Sequence, residues 1–163
     1  SDKWEMLGDV SWTGWSSIKN VDIYRSSNTA LNVGPSSRNG ALTQVLEADF
    51  QDTWRVALGA NYQYNDAWKL KFGLAYDETP VKGASTRLTS LPDNDRVWFS
   101  FGAQWAPDKA SRLDLGMSYI YVRDSEINNN QLVPNPPSAS RGQVIGDYSA
   151  SIWQFGAQYS MSF

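Results

Sequence analysis

Neither cysteine nor histidine occurs anywhere in the 163 residues. Without cysteine there is no disulfide, no thiolate metal site and no cysteine nucleophile. Without histidine the commonest general base, the commonest metal ligand and any Ser-His-Asp triad are missing too. No catalytic residue, metal or cofactor is therefore expected, and the chain is not read as an enzyme. Long apolar runs are also missing. No stretch of about eighteen apolar residues exists and the mean hydropathy is −0.48, which rules out a transmembrane helix. Basic charge is scattered and outweighed, with 14 Lys and Arg against 17 Asp and Glu, so no nucleic-acid partner is expected. The chain opens Ser1-Asp2-Lys3-Trp4 with no methionine or signal peptide, as expected of a processed product or a piece of a longer protein.

What the chain does have is aromatic side chains, 13% of residues with eight Trp, arranged with a period of two. At its end Trp153, Phe155, Ala157, Tyr159, Met161 and Phe163 alternate with Gln154, Gly156, Gln158, Ser160 and Ser162. Alternation of this kind puts one set on each face of a sheet. Seven strands are expected on the same pattern: about Trp4–Trp15, Ile18–Arg25, Trp54–Tyr64, Trp68–Asp77, Arg96–Trp105, Arg112–Tyr121 and a last one from as early as Gly142 to Phe163. No segment carries a helical period. The residues 1–163 form a single all-β region.

Short and long connections alternate strictly. Ser16-Ser17, Asn65-Asp66-Ala67 and Pro107-Asp108-Lys109-Ala110 are tight turns, whereas Ser26–Phe50, Glu78–Asp95 and Asp124–Arg141 are long and polar. An antiparallel transmembrane β-barrel has this layout, with tight periplasmic turns and long extracellular loops. A soluble sandwich or lipocalin-like barrel also alternates apolar and polar residues. Three features favour the membrane. Strands three to six each offer about ten alternating residues, the span of a tilted membrane strand. Trp and Tyr cluster at strand ends, as interfacial belts require. The face opposite the apolar one carries Gly59, Gly73, Gly102, Gly116 and Gly156, useful in a lumen that something approaches closely and useless in water. The last strand would then end on the periplasmic side.

Several collinear motifs carry a resemblance. The run Pro92-Asp93-Asn94-Asp95-Arg96-Val97-Trp98-Phe99-Ser100-Phe101-Gly102 resembles the Pro-Asp-x-Asp-Arg-x-Trp-x-Ser-x-Gly stretch of the FadL family of outer-membrane long-chain fatty-acid transporters. Trp12-Thr13-Gly14-Trp15-Ser16, Trp54–Gly59, Gly73–Val81, Leu113–Tyr119 and the terminal strand are similar to the same family in order and spacing. The resemblance implies about half of a fourteen-stranded barrel, its C-terminal part, with the N-terminal hatch and first strands absent. Seven antiparallel strands cannot close alone, and open edges are not tolerated in lipid, so a partner half with its hatch is expected. A small closed barrel would instead need an eighth strand, obtained by splitting Gly142–Phe163 near Gly146-Asp147.

Passive outer-membrane transport of long-chain fatty acids or related hydrophobic compounds is what the resemblance implies. A hydrophobic small molecule is the expected ligand, with outer-membrane lipid and lipopolysaccharide as surroundings. The other readings are a structural or adhesive outer-membrane barrel without transport, and a lipid-modifying barrel enzyme, which the missing histidine disfavours. Candidate ligand-binding residues are the inward apolar side chains Trp98, Ile120, Phe50 and Leu46, with Arg96 or Arg55 to meet a carboxylate. Each has a plainer role open to it: Trp98 packing against the hatch, the arginines bracing strands in a salt-bridge network. The lumen glycines are expected to leave room for the hatch. One departure stands out. Members of the family can place a lysine near the start of the third strand for the head group, and Val45-Leu46-Glu47-Ala48-Asp49 has no cation. A less polar hydrocarbon becomes the easier substrate.

Overall fold

The computed structural model describes residues 3–24, 42–131 and 142–162. They form eight strands and one short 3-10 turn at Trp15–Ser17: β1 (Trp4–Thr13), β2 (Asn20–Tyr24), β3 (Leu42–Glu47), β4 (Thr53–Gln63), β5 (Trp68–Asp77), β6 (Arg96–Trp105), β7 (Ser111–Gln131) and β8 (Gly142–Met161). Six of them make one antiparallel sheet in the order β1-β4-β5-β6-β7-β8, while β2 and β3 pair only with each other. The all-β antiparallel reading holds, and the described strands form an open sheet.

The sheet sorts its two faces as the alternation requires. Val56↔Tyr76, Leu58↔Leu74, Phe72↔Phe101, Leu74↔Phe99 and Met117↔Phe155 are opposed on one face. On the other, Gly59↔Gly73, Ser100↔Ser118 and Gly102↔Gly116↔Gly156 are opposed. The apolar face is the open one: Phe72, Leu115 and Phe155 are exposed at 42%, 47% and 75%. A continuous apolar surface of this breadth far exceeds what a monomer keeps in water. Aromatic side chains bound it at both ends. Trp4 against Tyr62 (centroids 4.6 Å apart) and Trp68 against Trp105 (6.1 Å) lie at the end where the connections are tight. Trp12↔Trp54 and Tyr76↔Val97↔Tyr121 lie at the other. The rows are eight residues apart, about 26 Å along a strand at roughly 3.3 Å per residue, or about 20 Å of height at a strand tilt of roughly 40°, which fits inside the apolar band of a membrane barrel.

Two tight turns are built by side chains. Asn65 Oδ1 accepts the N–H groups of Ala67 and Trp68 at 3.0 and 2.9 Å. Asp108 Oδ1 accepts those of Ala110 and Ser111 at 2.8 and 2.7 Å. Both are the local Asx geometry that favours these residues in turns.

Three expectations need correction. Ser16-Ser17 does not join two wall strands. β1 pairs along its whole length with β4, and the 3-10 turn leads out to the β2–β3 hairpin. Five residues, with Asn20 and Asp22 among them, are too few to span a bilayer, so β2 leaves the wall and β1 runs opposite to the direction expected. The wall then has six described strands, an even number, and the parity argument against closure falls away. Next, Asp124–Gln131 is strand, not loop. β7 and β8 continue past a register shift between Val122 and Ser125, pairing Ser125↔Tyr148 through Gln131↔Gly142. Pairing overrides the weak strand propensity of the Asn-rich run. Finally, β8 runs unbroken through Gly146-Asp147, so no eighth wall strand arises there. Pro134–Pro137 lies outside the described residues.

The buried core sits at the loop end. Val81, Leu88, Ile120, Val122 and Ile127 are all at or below 8% exposure, where residues 78–95 fold back over the glycine-bearing face and the β7 extension.

Candidate functional site

Across the glycine-bearing face the register stacks side chains in rows. Nearest the loops runs Ser11–Arg55–Asp77–Arg96–Val122. The next row toward the turns is Asp9–Ala57–Ala75–Trp98–Ile120–Ile152, followed by Leu7–Gly59–Gly73–Ser100–Ser118–Gln154. Charged side chains pair along and between rows. Arg55 Nη1 lies 3.3 Å from Asp9, Arg96 Nη2 3.1 Å from Asp77 and Arg96 Nη1 3.7 Å from Asp93. Nearer the turns Asp114 receives Lys71 at 2.9 Å and Arg112 at 3.1 Å. A bracing network is therefore present.

The Pro-Asp-x-Asp-Arg motif acts as a staple. Thr79 donates its N–H to Asp95 Oδ1 at 3.0 Å and its hydroxyl to Asp93 Oδ2 at 2.8 Å. The Tyr76 hydroxyl donates to Asp95 Oδ2 at 2.9 Å, and Asn94 Nδ2 to the Asp124 carbonyl at 2.9 Å. Segment 78–95 is thereby closed on itself and tied at its far end to β5 and β7. A buried arginine fixes its middle: Arg87, 5% exposed, donates to the carbonyls of Asp93 and Glu126, and its own carbonyl accepts Asn129 Nδ2 at 2.8 Å.

The link between β3 and β4 closes the other side. Phe50 stands edge-on to Trp15 at 6.4 Å, and Gln51 bonds to the carbonyls of Pro80 and Thr79 at 2.9 and 3.2 Å. Asp49 bridges Lys82 at 2.7 Å and Lys19 at 3.4 Å, and its carboxyl is held below the usual range, chiefly by the Lys82 hydrogen bond. Asp52 is held down likewise by the Ser16 hydroxyl and N–H.

Between these segments and the top of the wall lies a cavity of about 530 Å³. Trp15, Phe50, Pro80, Val81, Leu88 and Leu91 supply its apolar lining, and Arg55, Arg96, Asp77, Glu78 and Asp93 its charged floor. Such a chamber, apolar with a few fixed polar groups, suits an apolar or amphiphilic small molecule. Three of the expected residues, Phe50, Arg55 and Arg96, meet here. Trp98 and Ile120 do not line it. They oppose each other one row toward the turns, Ile120 at 2% exposure, and the buried Trp98 Nε1 has no hydrogen-bond partner among the described residues. Leu46 sits opposite Val21 in the hairpin, also away from the cavity. Trp15, Val81, Leu88 and Leu91 were not expected. Loop residues have no period to reveal them, although the Asp93–Arg96 spacing in the motif could have shown the ion pair.

Among the described residues the glycine band near the turns is covered only in part: Gly102 is buried beside the Lys71 side chain, while Gly116 and Gly156 are exposed. A Cβ on Gly156 would meet no atom within 4 Å, whereas one on Gly102 would stand 3.2 Å from the Leu115 carbonyl. The wall itself thus crowds a side chain at Gly102, whereas space is left open at Gly116 and Gly156.

The sequence matches the family described as "Outer membrane protein transport protein (OMPP1/FadL/TodX)" over residues 1–163. It is 28% identical to an outer membrane protein of Neisseria meningitidis serogroup B, over all of this chain and 34% of that protein. It is 29% identical to the long-chain fatty acid transport protein of Escherichia coli K12, over 99% of this chain and 30% of the relative. The chain thus spans about a third of the length of these curated relatives. Among solved structures it superposes on a FadL homologue of Pseudomonas aeruginosa with a TM-score of 0.76 at 25% identity, covering 99% of this chain and 33% of the other. The toluene transporter TodX of P. putida shares the fold, with a TM-score of 0.55 at 19% identity.

Proposed function

The chain belongs to the outer membrane protein transport protein family (OMPP1/FadL/TodX), and from that premise we propose that it forms part of the wall and the ligand-capturing cap of a passive outer-membrane transporter for long-chain fatty acids or related hydrophobic compounds. The described strands are one arc of a barrel that the rest of the protein completes and plugs with its hatch. The long connections face outward from the cell, and β8 ends in the periplasm. The outer face meets lipid and, in the outer leaflet, lipopolysaccharide.

The cavity beneath residues 78–95 carries the reading. An apolar ligand gains about 0.8 kcal/mol for each CH₂ moved out of water. At about 530 Å³ the chamber has ordinary ligand-pocket size, but its charged floor limits the apolar contact it can offer, so affinity stays modest. Transport needs that, because a site that holds its ligand too firmly cannot pass it on. Trp98, one row deeper, is the next apolar surface a ligand would meet, Ile120 beside it being already buried. Differential binding and diffusion suffice, and no catalytic step is required.

Leu91 is 61% exposed and lines the cavity, so Leu91→Trp adds bulk there with little risk to folding. Retention of a labelled hydrophobic compound by the purified full-length protein, and its uptake by cells, are expected to fall about tenfold. Unchanged retention and uptake would remove the cavity from the transport route.

A further inference from the structure

We infer that this cavity selects ligands whose polar end is uncharged and works against the carboxylate of a fatty acid; the inference rests on the ligand-binding role just proposed for the cavity. Its two cations are already taken. Arg96 lies between Asp77 at 3.1 Å and Asp93 at 3.7 Å. Arg55 pairs with Asp9 at 3.3 Å and stands directly across the sheet from Asp77. Glu78 adds a further carboxylate whose partner, the Trp54 N–H at 2.9 Å, is neutral and leaves the charge uncancelled. The lining holds two cations against three carboxylates; with Asp9, which pairs with Arg55, and Arg87, whose guanidinium is engaged by the carbonyls of Asp93 and Glu126, three cations face four carboxylates, a net charge of −1 before any ligand enters.

These acids are held in place. Asp93 accepts the Thr79 hydroxyl at 2.8 Å, and Asp77 is fixed in the wall opposite Arg96. An incoming carboxylate must displace one of them from Arg96 or lie beside unopposed negative charge. Like charges repel more strongly in such a partly dry chamber than in water. A hydroxyl, an ester carbonyl or a bare hydrocarbon meets no such opposition, and Ser11, Thr13 and Ser90 in the lining offer neutral hydrogen bonds. The fixed acids act as a repulsive element that rejects one class of ligand while admitting another.

Equilibrium binding of labelled dodecanol and dodecanoate to the full-length protein in detergent, at low salt and pH 9, tests this; the acid is ionised there even with the raised pKa that a micelle gives it. Asp93→Asn keeps an acceptor for Thr79 and removes one charge. It is expected to raise the ratio of dodecanoate to dodecanol affinity about five- to tenfold, with the circular dichroism and heat resistance of the barrel serving as the folding control. Asp77→Asn should act in the same direction if Asp93→Asn fails to fold. A ratio that falls or stays constant in both variants while dodecanol still binds overturns the charge argument and leaves the cavity's role intact. Binding of both probes that Leu91→Trp does not affect places them elsewhere, and overturns the cavity reading together with this one.

Discussion

On the turn side of the Trp98–Ile120 row the sheet hides almost nothing, and from that row toward the loops the same strands acquire a core. Phe72, Phe99, Phe101 and Phe155 lie open on the wall, held by ladder bonds and by ring contacts such as Phe72 on Phe101 at 5.5 Å. Past Val122, Ile127 and Asn129 are buried under residues 78–95, and Thr79, Arg87, Asp93 and Asp95 supply a dense set of side-chain hydrogen bonds. The wall is organised for a solvent that offers no hydrogen bonds, so the backbone of β4 to β7 pairs with neighbouring strands on both sides and the apolar side chains face out. The cap is organised for water, so apolar groups turn in. One β7–β8 hairpin passes through both regimes, and the register shift between Val122 and Ser125 marks where it changes. Below it the buried side chains of β7 are even-numbered, Ile120 and Val122; above it they are Ser125, Ile127 and Asn129.

The sharpest test of that boundary compares two exposed apolar residues. Phe72 is 42% and Ile145 70% exposed, so exposure alone gives no reason to treat Phe72 as the more sensitive. If the solvents differ as argued, Phe72→Arg costs about 2–4 kcal/mol, as for a cation at the bilayer midplane of a barrel. Ile145→Arg, beyond the aromatic belt, stays within about 0.5 kcal/mol. Unfolding of the full-length protein in lipid vesicles measures both. Equal costs would place the two residues in one medium and sink the division.

A smaller effect separates the regions from the other side. Arg87→Ala removes the guanidinium that joins the carbonyls of Asp93 and Glu126, leaving buried acceptors unmet at about 1–3 kcal/mol. The loss is expected in the cap alone. Limited proteolysis should cut within residues 78–95 of the variant, while the barrel keeps its resistance to heat and detergent. A barrel that loses heat resistance as well would show that cap and wall fold as one cooperative unit.

How legible each region was follows from the same difference. Wall strands announce themselves because period two is a local property, readable in Trp54–Tyr62 or Trp68–Tyr76 without knowing any partner. The position of β2 was not readable, since Val21 and Ile23 alternate like a wall strand and only pairing with β3 shows that they leave it. Nor was the β7 extension, because Asn128-Asn129-Asn130 has turn composition and becomes strand through its partners on β8 and residues 78–95. Phe50, Arg55 and Arg96 could be proposed from inward position or motif. The apolar lining from Val81, Leu88 and Leu91 could not, since it exists only once the loop folds back. The staple was half visible: the Asp93-Asn94-Asp95-Arg96 run stood out as a motif, but its partners Thr79 and Tyr76 did not.

Acid should distinguish cap from wall by the smallest effect. Asp49 is a non-glycine residue at φ 40°, held there by its N–H bond to the Lys19 carbonyl at 2.8 Å and by its bridges to Lys19 and Lys82. Its folded-state carboxyl titrates below the ordinary value of 3.8, as does that of Asp52. A depressed pKa means that the ionised form is the one the fold prefers. The stabilisation is complete above the ordinary value and is lost as pH falls through the lower folded value. Phe50 lies between these two acids, so its segment should loosen from about pH 4 downward. Amide exchange at Asp49–Gln51 is expected to quicken over that window while the strand amides of β4 to β6 keep their protection. An Asp49→Asn, Asp52→Asn double variant should flatten the pH curve; Asn accepts the left-handed conformation at position 49 at little cost. If that variant still softens between pH 4 and 3, the cap is tied down by something other than these two carboxylates.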